Sequence, residues 1–117
     1  MQLIIDVLFV DDDFPDKHPA DSHLLCFFIK HTYPSHTVEV IKLDVEGWEH
    51  PVFAGARDLL ENHPPRLLIF ETACGRDGTI SDTRLPVMLT QYGFCITRVE
   101  RPSGVIKPTE NYVARQN

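Results

Sequence analysis

The chain has 117 residues, of which 43% are hydrophobic and 24% are charged, an ordinary composition for one globular domain. Seventeen acidic residues against eleven basic ones give a formal charge of −6. A nucleic-acid partner is therefore not expected, because phosphate binding needs clustered lysine and arginine. The longest uninterrupted apolar stretch, Leu24–Ile29, is too short to span a bilayer, so no membrane span is expected.

The cysteines and histidines form no recognisable metal or disulfide pattern. Cys26, Cys74 and Cys95 are odd in number and show no Cys-x-x-Cys spacing, which favours reduced thiols and a cytoplasmic location. His18 and His23 lack a third ligand at a spacing typical of zinc sites. The sequence therefore predicts no metal site.

The N-terminal third contains one clear predicted strand. Leu3–Val10 is apolar and β-branched apart from one acid, and it leads into three successive aspartates, Asp11 to Asp13. Phe14 to His23 contains two prolines among charged residues and is predicted to be a loop. The apolar periodicity of Leu24 to His31 does not decide between helix and strand. Tyr33 to His36 is predicted to be a turn.

The middle of the chain predicts a strand, a helix and a second strand. Val38–Leu43 is an apolar, β-branched run, and Gly47 supplies the turn after it. A helix is expected to begin near His50, with an apolar stripe that ends before His63-Pro64-Pro65. Arg66 to Phe70 is nearly all apolar, which is typical of a strand covered on both faces. Such a βαβ unit requires the two strands to be parallel in one sheet.

The C-terminal third predicts one more helix and two strands. Ala73 to Asp82 is expected to be a loop, and Thr83 to Tyr92 a helix that stops at Gly93. Phe94 to Glu100 alternates as a strand does, and Tyr112 to Ala114 is short enough to be a final strand.

Two carboxylates follow the strands of the predicted βαβ unit. Asp44 comes directly after the first strand and Glu71 directly after the second. Because the carboxyl ends of parallel strands share one edge of the sheet, and ligands bind in the crevice beyond that edge, the two acids mark a candidate active site.

The residues from Lys42 to Glu49 read Lys-Leu-Asp-Val-Glu-Gly-Trp-Glu, and Gly55-Ala56, Pro65 and Glu71 follow. This set resembles the FkbM family of S-adenosylmethionine-dependent methyltransferases. The resemblance implies an α/β fold, a partial Rossmann-like class I methyltransferase fold with a mostly parallel sheet and a reversed C-terminal strand. Residues 38–117 would form the C-terminal half of that fold, and residues 1–37 an unassigned segment packed on it.

The resemblance also implies a site and a reaction. Asp44, Glu46 and Glu71 would be catalytic, Trp48 and Glu49 would contact the substrate, and Gly47 would be needed for the shape of the turn. The reaction would be methyl transfer from S-adenosylmethionine, with O-methylation of a hydroxyl on a small molecule or sugar. The sequence sets neither the acceptor nor the oligomeric state.

The cofactor part of the family pattern is missing. Such folds hold the cofactor with a glycine-rich turn after the first strand, because glycine lets the backbone approach the ligand closely. This chain has no glycine before Gly47. Whether the chain binds S-adenosylmethionine therefore stays open. It could be an incomplete fragment that is inactive alone, or a non-catalytic remnant that serves as a binding module of the same fold.

A receiver-like phospho-acceptor domain is an alternative from another class. Val7 to Asp13 resembles the first strand and acidic cluster of that family, with Asp44 as acceptor, Thr72 as switch hydroxyl and Lys107-Pro108 as the lysine-proline pair. The spacing argues against it, because about 30 residues between Asp13 and Asp44 leave room for little more than one βαβ unit.

Overall fold

The computed structural model describes residues 3–10, 36–43 and 49–117. The predictions for residues 11–35, and those for Asp44 to Trp48, lie outside this part of the chain. The elements, in chain order, are β1 (Leu3–Val10), β2 (His36–Leu43), α1 (Glu49–Gly55), α2 (Arg57–Asn62), β3 (Leu67–Ala73), α3 (Arg84–Gln91), β4 (Phe94–Arg98) and β5 (Thr109–Gln116).

The strands of the described residues form one mixed sheet of five strands in the order β1-β2-β3-β5-β4. β1 is parallel to β2, and β2 is parallel to β3. β5 is antiparallel to both of its neighbours, β3 and β4. The predicted α/β fold is confirmed, and the predicted mostly parallel sheet with a reversed C-terminal strand is confirmed in part, because the sheet is mixed.

The predicted helix after Gly47 is interrupted. It consists of α1 and α2, separated at Ala56, whose amide donates to the Phe53 carbonyl three residues earlier at 3.1 Å. Gly55, a weak helix former, directly precedes the break. The apolar stripe nevertheless continues through it, because Val52, Phe53, Ala56, Leu59 and Leu60 are all buried.

The predicted burial of both faces of the strand after this helix is confirmed only in part. In β3, Leu68, Phe70 and Thr72 are buried, whereas Leu67 and Ile69 are half-buried and Glu71 is exposed. The side chains of a strand alternate between the two faces of a sheet. The buried residues of α1, α2 and α3 belong to the same core as the inward side of β3, so one face is fully covered and the other only partly.

Two strands are longer than the sequence predicted. β3 ends at Ala73 rather than at Phe70, and β5 runs from Thr109 to Gln116 rather than from Tyr112 to Ala114. These strands pair continuously from Leu67↔Arg115 to Ala73↔Thr109. The ladder uses backbone groups, which polar residues supply as well as apolar ones, so an apolar pattern underestimates its length. The helix stop at Gly93 is confirmed, since this residue has a φ of +88° just after α3.

The core centres on aromatic rings between the sheet and the helices. The rings of Phe53 and Phe70 meet edge to face at 5.8 Å, and Phe70 stacks on Tyr112, also at 5.8 Å. Such pairs add roughly 0.5–1.5 kcal/mol beyond the area they bury. Phe53 therefore joins α1 to the centre of the sheet.

Replacing Phe53 by alanine should lower the free energy of unfolding by about 3–5 kcal/mol, because a large cavity opens beneath α1. Urea denaturation measures this change. The matched control is Val87→Ala on α3, where the side chain is 60% exposed and the effect should stay within about 0.5 kcal/mol. Equal effects of the two substitutions would contradict the position assigned to Phe53.

Candidate active site

The carboxyl ends of β1, β2 and β3 lie side by side at one edge of the sheet. Val10 is in register with Leu43, and Leu43 is in register with Phe70. Asp44 follows Leu43 directly in the sequence, but Asp44, Glu46, Gly47 and Trp48 lie outside the described residues. The edge that the sequence analysis predicted as a ligand site is thus present, and the roles of these four residues stay predictions.

Glu71 lies within β3 and not at its end. It is exposed, pairs with Asn111 of β5 and belongs to the sheet face opposite the helices. The strand continues for two residues beyond it, to Ala73. Its predicted catalytic role remains a prediction, at a position near the carboxyl edge.

Glu49 is the first residue of α1, and its side chain is buried, with 2% exposed. The N-terminal end of a helix carries a partial positive charge, which favours a carboxylate at this position. Its predicted contact with substrate also stays a prediction.

A second group of charged residues lies at the same edge and was not predicted from the sequence. Glu110, at the start of β5, is 1% exposed. Its Oε1 accepts a hydrogen bond from Nη1 of Arg98, at the end of β4, at 3.2 Å. Its Oε2 accepts one from Nε of Arg101 at 2.7 Å. We call these three residues the Glu110 cluster.

Burial of Glu110 acts to raise the pKa of its carboxyl group, but the hydrogen bonds and charges of Arg101 and Arg98 outweigh it and lower this pKa. The group is therefore ionised at neutral pH. One carboxylate faces two guanidinium groups, so the cluster carries a net charge of about +1.

The loop that follows β3, residues 74–82, is fixed to the same strands. The Cys74 amide donates to the Pro108 carbonyl at 2.9 Å, and the Cys74 thiol donates to the Lys107 carbonyl at 3.1 Å. The Tyr112 hydroxyl, buried in the core, donates to the Gly78 carbonyl. Burial, followed by the neighbouring Cys74 side chain, raises the pKa of Tyr112, which keeps this hydroxyl protonated as a donor. These hydrogen bonds therefore hold loop 74–82 in place at the carboxyl edge of the sheet.

The alternation of residues in the C-terminal strand would have predicted this cluster, although a search for apolar runs does not detect it. Glu110, Tyr112 and Ala114 alternate, so a strand through them must direct all three side chains to one face. Because Ala114 and Tyr112 suit a core, Glu110 is then a buried acid that requires a cationic partner. Arg98 and Arg101 precede it across a turn, and they supply that partner.

A shallow depression lies at the other edge of the sheet. It is lined by Arg57, Leu60, Glu61, Gln91 and Tyr92, near the end of α3 that leads into β4. Ligands of open α/β sheets bind at the carboxyl ends of strands. This depression therefore lies away from the carboxyl end of β3.

Within residues 3–10, 36–43 and 49–117, no three side chains of histidine, cysteine, aspartate or glutamate converge as metal ligands would. None of the helices in these ranges is long and apolar enough to cross a membrane.

Comparison with known protein families matches residues 21–94 to the methyltransferase FkbM domain. This match covers more than half of the chain, so the protein belongs to the FkbM methyltransferase family. The resemblance noted from the motif is confirmed. No curated protein matches the chain.

The receiver-like alternative is not favoured by this family match. Thr72, its predicted switch hydroxyl, is only 8% exposed and pairs with Glu110 in the β3–β5 ladder. Its predicted phospho-acceptor, Asp44, lies outside the described residues.

Among the glycines of loop 74–82, Gly78 should be the one whose replacement by alanine destabilises the protein most. It has a φ of +84°, and a Cβ there would lie 2.6 Å from Nε of Arg98. Gly104 has a similar φ of +74°, but a Cβ there would meet no atom within 4 Å, so Gly104→Ala isolates the backbone cost of roughly 1–2 kcal/mol. Gly78→Ala should cost more than Gly104→Ala in urea denaturation, because Arg98 must also move. Equal costs would contradict the tight packing of Arg98 on the loop.

Proposed function

We propose that this protein acts in S-adenosylmethionine-dependent O-methylation of a hydroxyl group on a small molecule or sugar, with the acceptor at the carboxyl edge of β2 and β3. The observation that carries the proposal is the match to the methyltransferase FkbM domain over residues 21–94. The strand order supports it. β2, β3, β4 and the reversed β5 correspond to the last four strands expected for a partial Rossmann-like class I methyltransferase fold.

The proposed role of the acids follows from the chemistry of a hydroxyl acceptor. The hydroxyl proton must leave as the new bond forms, and a positioned base is worth roughly 10²–10⁴-fold in rate. A free aspartate, with a pKa of about 3.9, is a weak base for an alcohol, so its position against the hydroxyl has to supply the effect. Asp44, Glu46 and Glu71 are the proposed acids. Asp44 follows Leu43, which is in register with Phe70, and Glu71 follows Phe70.

The residues present fit the cofactor only in part. An edge rich in carboxylates suits a cationic sulfonium group. The glycine turn that would hold the cofactor is missing, because Val10 is followed by Asp11-Asp12-Asp13 and every glycine lies at position 47 or later. This mismatch favours a second candidate function, a non-catalytic binding module of the same family.

Calorimetric titration with S-adenosylmethionine separates the two candidates. We expect weak binding, with a dissociation constant on the order of 1 mM, because charge attraction acts without the glycine turn. Binding in the micromolar range would show that other residues replace the turn and would exclude the non-catalytic module. A flat titration at several times about 1 mM cofactor would exclude methyl transfer by this chain.

Asp44→Asn should lower methyl transfer by roughly 10²–10⁴-fold, because the amide cannot accept the hydroxyl proton. The measurement uses methyl-labelled S-adenosylmethionine with a panel of monosaccharides and small alcohols. The control is Asp58→Asn on α2, which keeps a side-chain oxygen available to Asn62 and should leave the rate unchanged. Unchanged transfer by the Asp44 variant would rule out its role as the base.

A further inference from the structure

The Glu110 cluster has more positive charge and more hydrogen-bond donors than its internal contacts use. A guanidinium group has five N–H donors. Among the described residues, Arg98 and Arg101 each direct one hydrogen bond to Glu110. One arginine would be enough to neutralise this carboxylate. The second leaves a net charge of about +1 and a set of planar donors that are not used within the described part of the chain.

These donors are accessible from outside. The side chain of Arg98 is 22% exposed and that of Arg101 is 34% exposed, whereas Glu110 is 1% exposed. The carboxylate is therefore more deeply buried than the two arginines that it holds, and both arginine side chains remain partly exposed. Asp77, the acid of the adjacent loop, has its Oδ1 engaged by the Thr79 amide at 3.0 Å.

The cluster lies at the edge where the proposed acceptor binds, on the face of the sheet that packs against the helices, because Glu110 and Arg98 share that face with Tyr112. Arg98 ends β4, which is separated from β3 by β5 alone. Neighbouring strands are about 4.8 Å apart, so the end of β4 is roughly 10 Å from β3 and roughly 14 Å from β2. Arginine pairs recognise carboxylate and phosphate groups through paired, charge-assisted hydrogen bonds.

We propose that Arg98 and Arg101, held by Glu110, form a binding site for an oxyanion, and that this oxyanion is a phosphate or carboxylate group on the acceptor. The second part rests on the proposed methyltransferase function. The acceptor then carries its hydroxyl near β2 and β3 and its anionic group roughly 10–14 Å away, so it is longer than one sugar ring. The Glu110 carboxylate is a positioning group in this site.

The test is an NMR titration of the ¹⁵N-labelled protein, following the arginine Nε–H signals. The probes are inorganic phosphate, trehalose 6-phosphate, lactobionate and uncharged trehalose. We expect phosphate to shift the signals of Arg98 and Arg101 saturably, with a dissociation constant on the order of 1 mM. Stronger binding of trehalose 6-phosphate or of lactobionate than of phosphate identifies a phosphorylated or a carboxylated acceptor, respectively. Phosphate binding that is equal to or tighter than both would overturn the acceptor part of the proposal.

Three variants provide the controls. Arg101→Gln should weaken phosphate binding by at least about 10-fold. Arg101→Lys keeps the charge but loses the planar guanidinium group that makes paired hydrogen bonds, so its affinity for phosphate should lie between those of Arg101→Gln and the native protein. Arg57→Gln removes an exposed arginine that is paired one to one with Glu61, and it should bind as the native protein does. A native urea transition of Arg101→Gln shows that its weaker binding does not come from unfolding.

Several results would overturn the oxyanion site. These are no saturable shift up to about 50 mM phosphate, equal shifts at Arg57 and Arg84, or unchanged affinity in Arg101→Gln. The titrations contain no S-adenosylmethionine. Absence of S-adenosylmethionine binding would therefore reject the methyltransferase role and leave the oxyanion site untouched, so the two proposals can fail separately.

Discussion

The antiparallel insertion of β5 between β3 and β4 is the constraint on which the C-terminal part of this structure depends. Seven successive positions of β3, from Leu67 to Ala73, pair with β5. The register places Glu110 across from Thr72 and Tyr112 across from Phe70. The same strand pairs Tyr112 with Arg98 of β4. β5, through its two ladders, thus determines the aromatic stacking of the core, the anchor of loop 74–82 and the position of Arg98 beside the buried acid.

Burial on one face of the sheet explains how strands with many polar residues can still form a hydrophobic core. The buried side chains of β2, β3 and β5 face α1, α2 and α3, and together they form one cluster that includes Phe53, Phe70 and Leu89. Polar residues of the same strands, such as Lys42, Glu71 and Arg115, lie on the other face and remain exposed. The apolar surface of the core supplies the main stabilisation, and the ladder hydrogen bonds continue through the polar positions at little cost.

Much of this architecture follows from local patterns in the sequence. The apolar runs at β1, β2 and β3, the stripe of α1 and α2, and the glycine stop after α3 predicted the elements and the parallel βαβ unit. The break at Ala56 and the full lengths of β3 and β5 did not follow, because they depend on backbone geometry and on pairing between distant strands. The partners of Glu110 were missed for the same reason. Twelve positions separate it from Arg98, and β5 has to reverse direction before the two can meet.

The Glu110 cluster is better explained by the geometry of a ligand site than by stability alone. A buried ion pair often does no more than balance the cost of removing its charges from water, and apolar residues of similar size stabilise a core at least as well. A second arginine on the same carboxylate adds a charge that the pair does not need. In the proposed function, the predicted acids Asp44 and Glu46 belong to the same edge of the sheet, and the charge of the cluster would oppose theirs along it. A molecule with a neutral hydroxyl at one end and an anionic group at the other binds such an edge in one orientation, because the reverse places its anion against carboxylates. The proposed oxyanion site would thereby contribute selectivity for the direction of the acceptor.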